Sequence, residues 1–190
     1  MSDFKPKKTD DTDAFFRAFL ADAKVHAERY EVVAFGDSPA MAGELLELVL
    51  AGVKRATASL ARDYAGGGGA SEEPLPAVGD LVVVVDGRNK PRCVWRTTDI
   101  EVKPLIAVDD AFAFDEGEGD RTRDDWLAGH RADFQRQAER DGFEFHDEIE
   151  TVFERFTIVW PRMFADDWEG PAEADVNAIA GLSSCRLRRR

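Results

Sequence analysis

The chain has 190 residues, of which 44% are hydrophobic and 33% charged, and its formal net charge is −13. That length suits one domain with a full core, and no apolar run reaches the roughly 18 residues a transmembrane helix needs. The opening stretch MSDFKPKKTDDTDAFF sets no apolar segment beside its basic residues, so no secretory leader is expected. Two cysteines, Cys93 and Cys185, form neither a disulfide framework nor a metal-ligand spacing, and a cytoplasmic protein with reduced thiols and no membrane association follows. The acidity is concentrated, since residues 106–175 carry 21 acidic and 7 basic residues. An acidic surface does not attract phosphate backbones from a distance. A polyanion would need a local basic groove, for which Lys54, Arg55, Arg62, Arg88, Lys90, Arg92 and Arg96 are the candidates.

In chain order, Phe15, Phe16, Phe19, Leu20 and Ala23 recur at helical spacing and predict a helix over 13–29, with Thr12 as its cap. A short strand, EVVAF, follows at 31–35. The next helix is sharply marked: Ser38 is the N-cap, Pro39 sits at the first helical position, and Gly52 stands just past the end. Leu45, Leu46, Val49 and Leu50 form its buried stripe. KRATASL then reads as a strand, and AGGGGASEEP as a flexible surface loop, because four successive glycines are costly to order. GDLVVVVDG and PRCVWRTTDIEV predict a strand pair around the turn DGRNKP, with the valine run buried on both faces. A helix over roughly 121–140 points Trp126, Phe134 and Ala138 inward and stops at Gly142. ETVFERFTIVW alternates as a long final strand ended by Pro161, and the remaining residues read as a flexible terminus. Several strands in succession between a few helices imply an α+β protein, built on a small curved β-barrel or sheet with flanking helices.

Two stretches carry unusual chemistry. In GVKRATAS a glycine turn is followed by an ammonium, Lys54, and a hydroxyl, Thr57, at the mouth of a strand. A hydroxyl needs a base or cation acting on its proton before it becomes a good nucleophile, and a desolvated lysine can supply that. Taken alone, the same residues also fit a solvated lysine and an ordinary strand threonine. In FDEGEGD four carboxylates crowd into seven residues (114–120), which fits a solvated acidic loop as well as a site for a ligand or a divalent cation. Its spacing is not that of an EF-hand. Trp95 and Phe112 fit a core as well as a base-stacking role. His26, His130 and His146 are scattered, and no phosphate-binding glycine motif is present.

FGDSPAMAGELLELVLAGVKRATASL, LPAVGDLVVVVDGRNKPRCVWRTTDIEV, FAFDEGEGDRTRDDWLAGHRADF and ERFTIVW occur in that order, and together they resemble the ASCH family of the PUA-like superfamily in its longer bacterial form. The resemblance implies a PUA-like domain over 35–161, an N-terminal helical extension over 1–34 and a flexible tail over 162–190. It also implies a cleft lined by Gly52, Lys54 and Thr57 and joined by Glu116, Glu118 and Asp120. The activity it implies is that of an RNA- or modified-nucleoside-directed hydrolase. If the reaction is deacylation of an N4-acylated cytidine, Thr57 is the nucleophile, Lys54 its activator and Glu118 the proton shuttle, with Glu116 competing for that last role, and no cofactor is required. If it is cleavage of single-stranded RNA, Lys54 stabilises the phosphorane and Glu116, Glu118 and Asp120 hold Mn²⁺ or Mg²⁺. Gly52, Arg55, Ser59, Trp95 and Glu116 are the substrate-binding candidates in either case. A non-catalytic module for RNA or a modified base is the alternative.

Overall fold

A computed structural model describes residues 5–68 and 73–167. A five-stranded mixed sheet forms its centre, in the order β1-β3-β4-β5-β2: β1 (Glu31–Val33), β2 (Ala56–Leu60), β3 (Leu81–Val85), β4 (Pro91–Pro104) and β5 (Glu150–Trp160). The β1–β3 pair is parallel and the other three pairs are antiparallel. Register shifts between Val94 and Trp95 and between Thr97 and Asp99 add local twist to the long β4, and the sheet curls into a half-barrel. Among the described residues β1 and β2 are therefore its two free edges.

Side-chain alternation decides which helix covers which face. Val82, Val84, Cys93, Trp95, Phe156 and Ile158 share one face with Leu46 and Val49 of α2 (Pro39–Leu50). Val83, Val85 and Val94 point the other way, against Phe16 and Phe19 of α1 (Asp10–Ala23) and Tyr30. Farther along that second face, Phe153 packs with Phe112 of α3 (Asp110–Glu116) and with Trp126 and Phe134 of α4 (Arg123–Asp141). With both faces covered, Val82–Val85 are all buried, as the unbroken valine run predicts. Burial also pushes the Cys93 thiol up to about 12.

The local signals at α2 hold: Ser38 accepts from the Met41 N–H and Pro39 opens the helix. Gly142 closes α4 in the left-handed conformation, and β5 ends at the bond to Pro161. Three expectations need correction. The cap of α1 is Thr9, and Thr12 is the reciprocal member of a capping box, its hydroxyl accepting from the Thr9 N–H at 2.9 Å. The same helix ends at Ala23 and not at residue 29, because Lys24 turns left-handed and the chain folds back to stack Tyr30 on Phe16, ring centroids 4.3 Å apart. The stretch FDEGEGD is not wholly loop: α3 runs through Glu116, and Gly117 caps it.

The flexible reading of the tail falls mostly on 168–190, which lie outside the described residues, as does Cys185. Residues before that point are anchored. Asp166 receives the Arg55 guanidinium, the Thr157 hydroxyl at 2.8 Å and the Ile158 N–H at 2.8 Å. Of the glycine loop, residues 69–72 lie outside the described residues; Gly66–Gly68 form turns, and the Ala65 N–H donates to Glu73 O at 2.7 Å.

Candidate functional site

A cleft of about 440 Å³ opens beside the free edge β2. Thr57 and Ala58 of β2 form one side. Phe35 and Gly36, just after β1, and Met41 and Leu45 of α2 form the second. Gly129, His130, Ala132, Asp133 and Arg136 of α4 form the third. The cleft thus occupies the gap that the half-barrel leaves between its two edges.

Lys54 enters this gap from a tightly tethered segment. The Val53 and Lys54 N–H groups donate to Leu48 O, the Arg55 N–H donates to Asp115 O at 2.7 Å, and Arg55 O accepts from the Phe156 N–H. Three elements (α2, α3 and β5) therefore fix where the lysine side chain starts. Gly52 makes the preceding turn at φ +79°. Gly117 is the complementary requirement: it sits at φ +76°, and a Cβ there would lie 2.5 Å from Val53 O. Only glycine lets the end of α3 approach the lysine segment this closely.

That approach brings two carboxylates to one ammonium. Lys54 is only 1% exposed, and its Nζ donates to Glu118 Oε1 at 2.6 Å and lies 3.8 Å from Glu116 Oε1. It also faces the Glu116 carbonyl at 3.5 Å and the Phe35 ring, whose centroid is 5.2 Å away. Glu116 is equally buried. Burial pushes its carboxyl up, but Lys54 and His130 outweigh burial and hold it below the usual carboxylate range. Its second oxygen accepts the Trp126 indole N–H and lies 3.5 Å from His130 Nε2. For His130, burial disfavours the charge, but Glu116, the Trp126 carbonyl and Glu118 together outweigh it, so the imidazole is raised above the ordinary histidine value. Glu118 keeps about a third of its side chain exposed and is the carboxylate that faces the open cleft.

Among the residues singled out from the sequence, Lys54, Thr57, Glu116 and Glu118 line one cavity. The others lie elsewhere. Gly52 is the turn behind the lysine. Arg55 points to Asp166 and to the Val49 carbonyl. Ser59 meets the Tyr64 hydroxyl at 2.8 Å. Trp95 is buried in the core, stacked on Phe156 at 4.3 Å. Asp120 caps the turn before α4, accepting from the Thr122 N–H and hydroxyl. Glu116, Glu118 and Asp120 do not make a metal centre: the first is occupied by an ammonium, an indole and an imidazole, and the third by Thr122. Among the described residues no cluster of three or more His, Cys, Asp or Glu is placed to hold a metal ion.

Sequence reasoning passed over Trp126 as a site residue and over His130. Their only signal is a four-residue spacing on one predicted helix, which stacks the two rings 3.7 Å apart.

A curled mixed sheet, with a lysine and an acidic helix end meeting in the gap between its edges, defines an α+β domain of the PUA-like kind. The sequence profile of the ASCH domain matches residues 31–160, and the chain belongs to that family. A crystal structure of an ASCH domain from Lactobacillus crispatus is similar with TM-score 0.72 and 28% identity, covering 83% of this chain and 99% of that one. The crystal structure of a protein from Enterococcus faecalis is similar with TM-score 0.70 and 30% identity, over 78% of this chain and 88% of that one. No curated protein matches. Among the described residues no helix is long and apolar enough to cross a membrane.

Proposed function

We propose that the cleft hydrolyses the acyl group of a small acylated nucleoside of the N4-acylcytidine type, with Thr57 as nucleophile. The observation that carries this reading is the 2.6 Å contact between Lys54 Nζ and Glu118 Oε1 in the cavity that Thr57 also lines. Thr57 Oγ adds to the acyl carbon while Glu118 takes the hydroxyl proton. The negative charge that develops on the acyl oxygen faces the Lys54 ammonium, which sits in a dry site where that attraction is strong. As the intermediate collapses, the C–N bond breaks and Glu118 returns the proton to the leaving amine. A water then attacks the threonine ester, passes its proton through Glu118, and releases the acid and the Thr57 hydroxyl.

Lys54 acts here as a cation and not as the base, since it already donates to Glu118. Charge on the walls favours a small, lightly charged ligand over RNA: Glu116, Glu118, Asp125 and Asp133 face the cavity against Lys54, His130 and Arg136. Two of the cations considered for a basic groove stand beside carboxylates of their own, Lys90 next to Asp11 and Arg92 next to Asp86.

The test is incubation of the pure chain with N4-acetylcytidine, reading cytidine release, beside a labelled single-stranded RNA with and without Mn²⁺. Cytidine released by the wild type and lost in Thr57→Ala supports deacylation. RNA cleavage lost in Lys54→Ala, with the nucleoside untouched, replaces it with a nuclease. Binding of either without turnover replaces it with a recognition module.

A further inference from the structure

Both ring nitrogens of His130 meet acceptors. Nδ1 lies 3.1 Å from the carbonyl of Trp126, one helical turn earlier, and Nε2 lies 3.5 Å from Glu116 Oε2. A carbonyl and a carboxylate only accept, and a neutral imidazole carries a single N–H, so one of the two contacts would then set lone pair against lone pair. The imidazolium satisfies both. Its plane is fixed by stacking on Trp126, at an interplanar angle of 16°, and by the edge of Phe134.

The charged groups around the ring come from three elements. Glu116 and Glu118 approach from α3 and the turn after it, Lys54 from the segment before β2, and Asp125, Asp133 and Arg136 from the neighbouring turns of α4 itself. β2 adds only the uncharged Thr57 and Ala58. The buried part of this cluster is a chain of contacts. The Trp126 carbonyl orients His130, and His130 with the Trp126 indole holds one oxygen of Glu116. The other Glu116 oxygen faces Lys54.

We propose that His130 is a positioning residue working as an imidazolium: it holds Glu116 where Glu116 anchors Lys54, and loss of the ring proton loosens the cleft. Without that proton the ring carries no charge, whichever nitrogen keeps the remaining N–H, and Glu116, left with the ammonium as its close counter-charge, shifts toward it. Lys54 then leaves the geometry in which it meets Glu118 beside Thr57. The consequence for turnover rests on the hydrolase reading above; the charge on the ring does not.

The experiment uses the full chain labelled with ¹⁵N, with long-range ¹H–¹⁵N spectra of the imidazoles followed against pH and His130 assigned through His130→Gln. The expected result is a ring with both nitrogens protonated beyond the ordinary histidine value, about 6.5, and a titration that moves down in Glu116→Gln. The Lys54 side-chain signals should shift with the same midpoint. A His130 that is neutral below that pH, a titration unchanged in Glu116→Gln, or a Lys54 blind to it overturns the proposal. Rates on N4-acetylcytidine supply the second arm: an alkaline fall in kcat should coincide with the ring's titration and disappear in His130→Gln, with KM little changed. An alkaline fall that persists in a folded His130→Gln overturns the positioning role. A wild type that leaves the nucleoside untouched refutes the hydrolase reading, while the spectra still decide the ring and its link to Lys54.

Discussion

Among the described residues two carboxylates are buried, and they have opposite fates. Glu116, at the end of α3, lies between an ammonium, an imidazole and an indole N–H, and its carboxyl is held down in spite of burial. Glu154, in the middle of β5, is 7% exposed and accepts from the Thr97 hydroxyl, at 2.5 Å. Burial raises its carboxyl, and the Thr97 hydrogen bond offsets only part of the rise. Desolvation penalises both charges alike; a cation at close range decides which group stays ionised. The first arrangement suits a site that must hold charge, and the second is a polar group accommodated inside a sheet.

The largest test of this contrast removes the cation. Lys54→Met turns Glu116 into a buried carboxylate with a much weaker counter-charge, and should cost about 3–5 kcal/mol in urea unfolding at pH 7. Adding Glu116→Gln to that variant should restore part of the loss. A double variant as unstable as the single one would mean that packing around the lysine, not charge, holds the cleft. Next in size is Gly117→Ala, which meets Val53 O at a positive φ and should cost about 2 kcal/mol or more. It should also weaken any ligand that needs Lys54 beside Glu118, a loss that titration calorimetry would read.

Glu154→Gln is expected to stabilise the protein by about 1 kcal/mol at pH 7, because it removes a disfavoured buried charge and keeps an acceptor for Thr97. The sign depends on pH. A raised folded value means that the native state binds the proton more tightly. Glu154 therefore destabilises increasingly as pH rises from the ordinary glutamate range through its folded value, and at lower pH the variant should match the wild type. Glu116 does the reverse: its contribution is present above the ordinary range and is lost as pH falls through its lowered folded value. His130, raised in the fold, contributes below the ordinary histidine value, and that contribution is lost as pH climbs through its folded one. Melting temperatures across pH for the wild type, Glu154→Gln and Glu116→Gln separate the three. The smallest expected change in stability is Thr57→Ala, under about 1 kcal/mol for a half-buried strand residue. A collapse in its melting temperature would assign Thr57 to the scaffold instead of the chemistry.

Much of the frame is legible in the sequence. Ser38, Pro39 and Gly52 bracket α2, Gly142 stops α4, and the alternation of β5 gives its two faces, because each signal acts within a few residues of itself. The short helix α3 was not readable: seven residues hold too few turns to show an apolar period, and its acidic end imitates a loop. From sequence Thr12 reads as the cap of α1 because both members of this capping box are threonines, and the pattern alone does not rank them.

At the cleft, the glycine turn, Lys54 and Thr57 stood out as a motif, and the acidic stretch stood out by its crowding. What sequence could not rank was the pair of glutamates within that stretch. Tertiary structure separates them, burying Glu116 against Trp126 and His130 and turning Glu118 to the opening. The partners of Glu116 lie 10 and 14 positions later on α4 and 62 positions earlier at Lys54, so nothing in their spacing reveals the contact. The sequence by itself determined the elements and the chemically unusual stretches, since propensity, capping and periodicity are short-range. Only the folded chain decided which carboxylate stays charged and which histidine matters, because desolvation and Coulomb forces depend on distance in space and not along the chain.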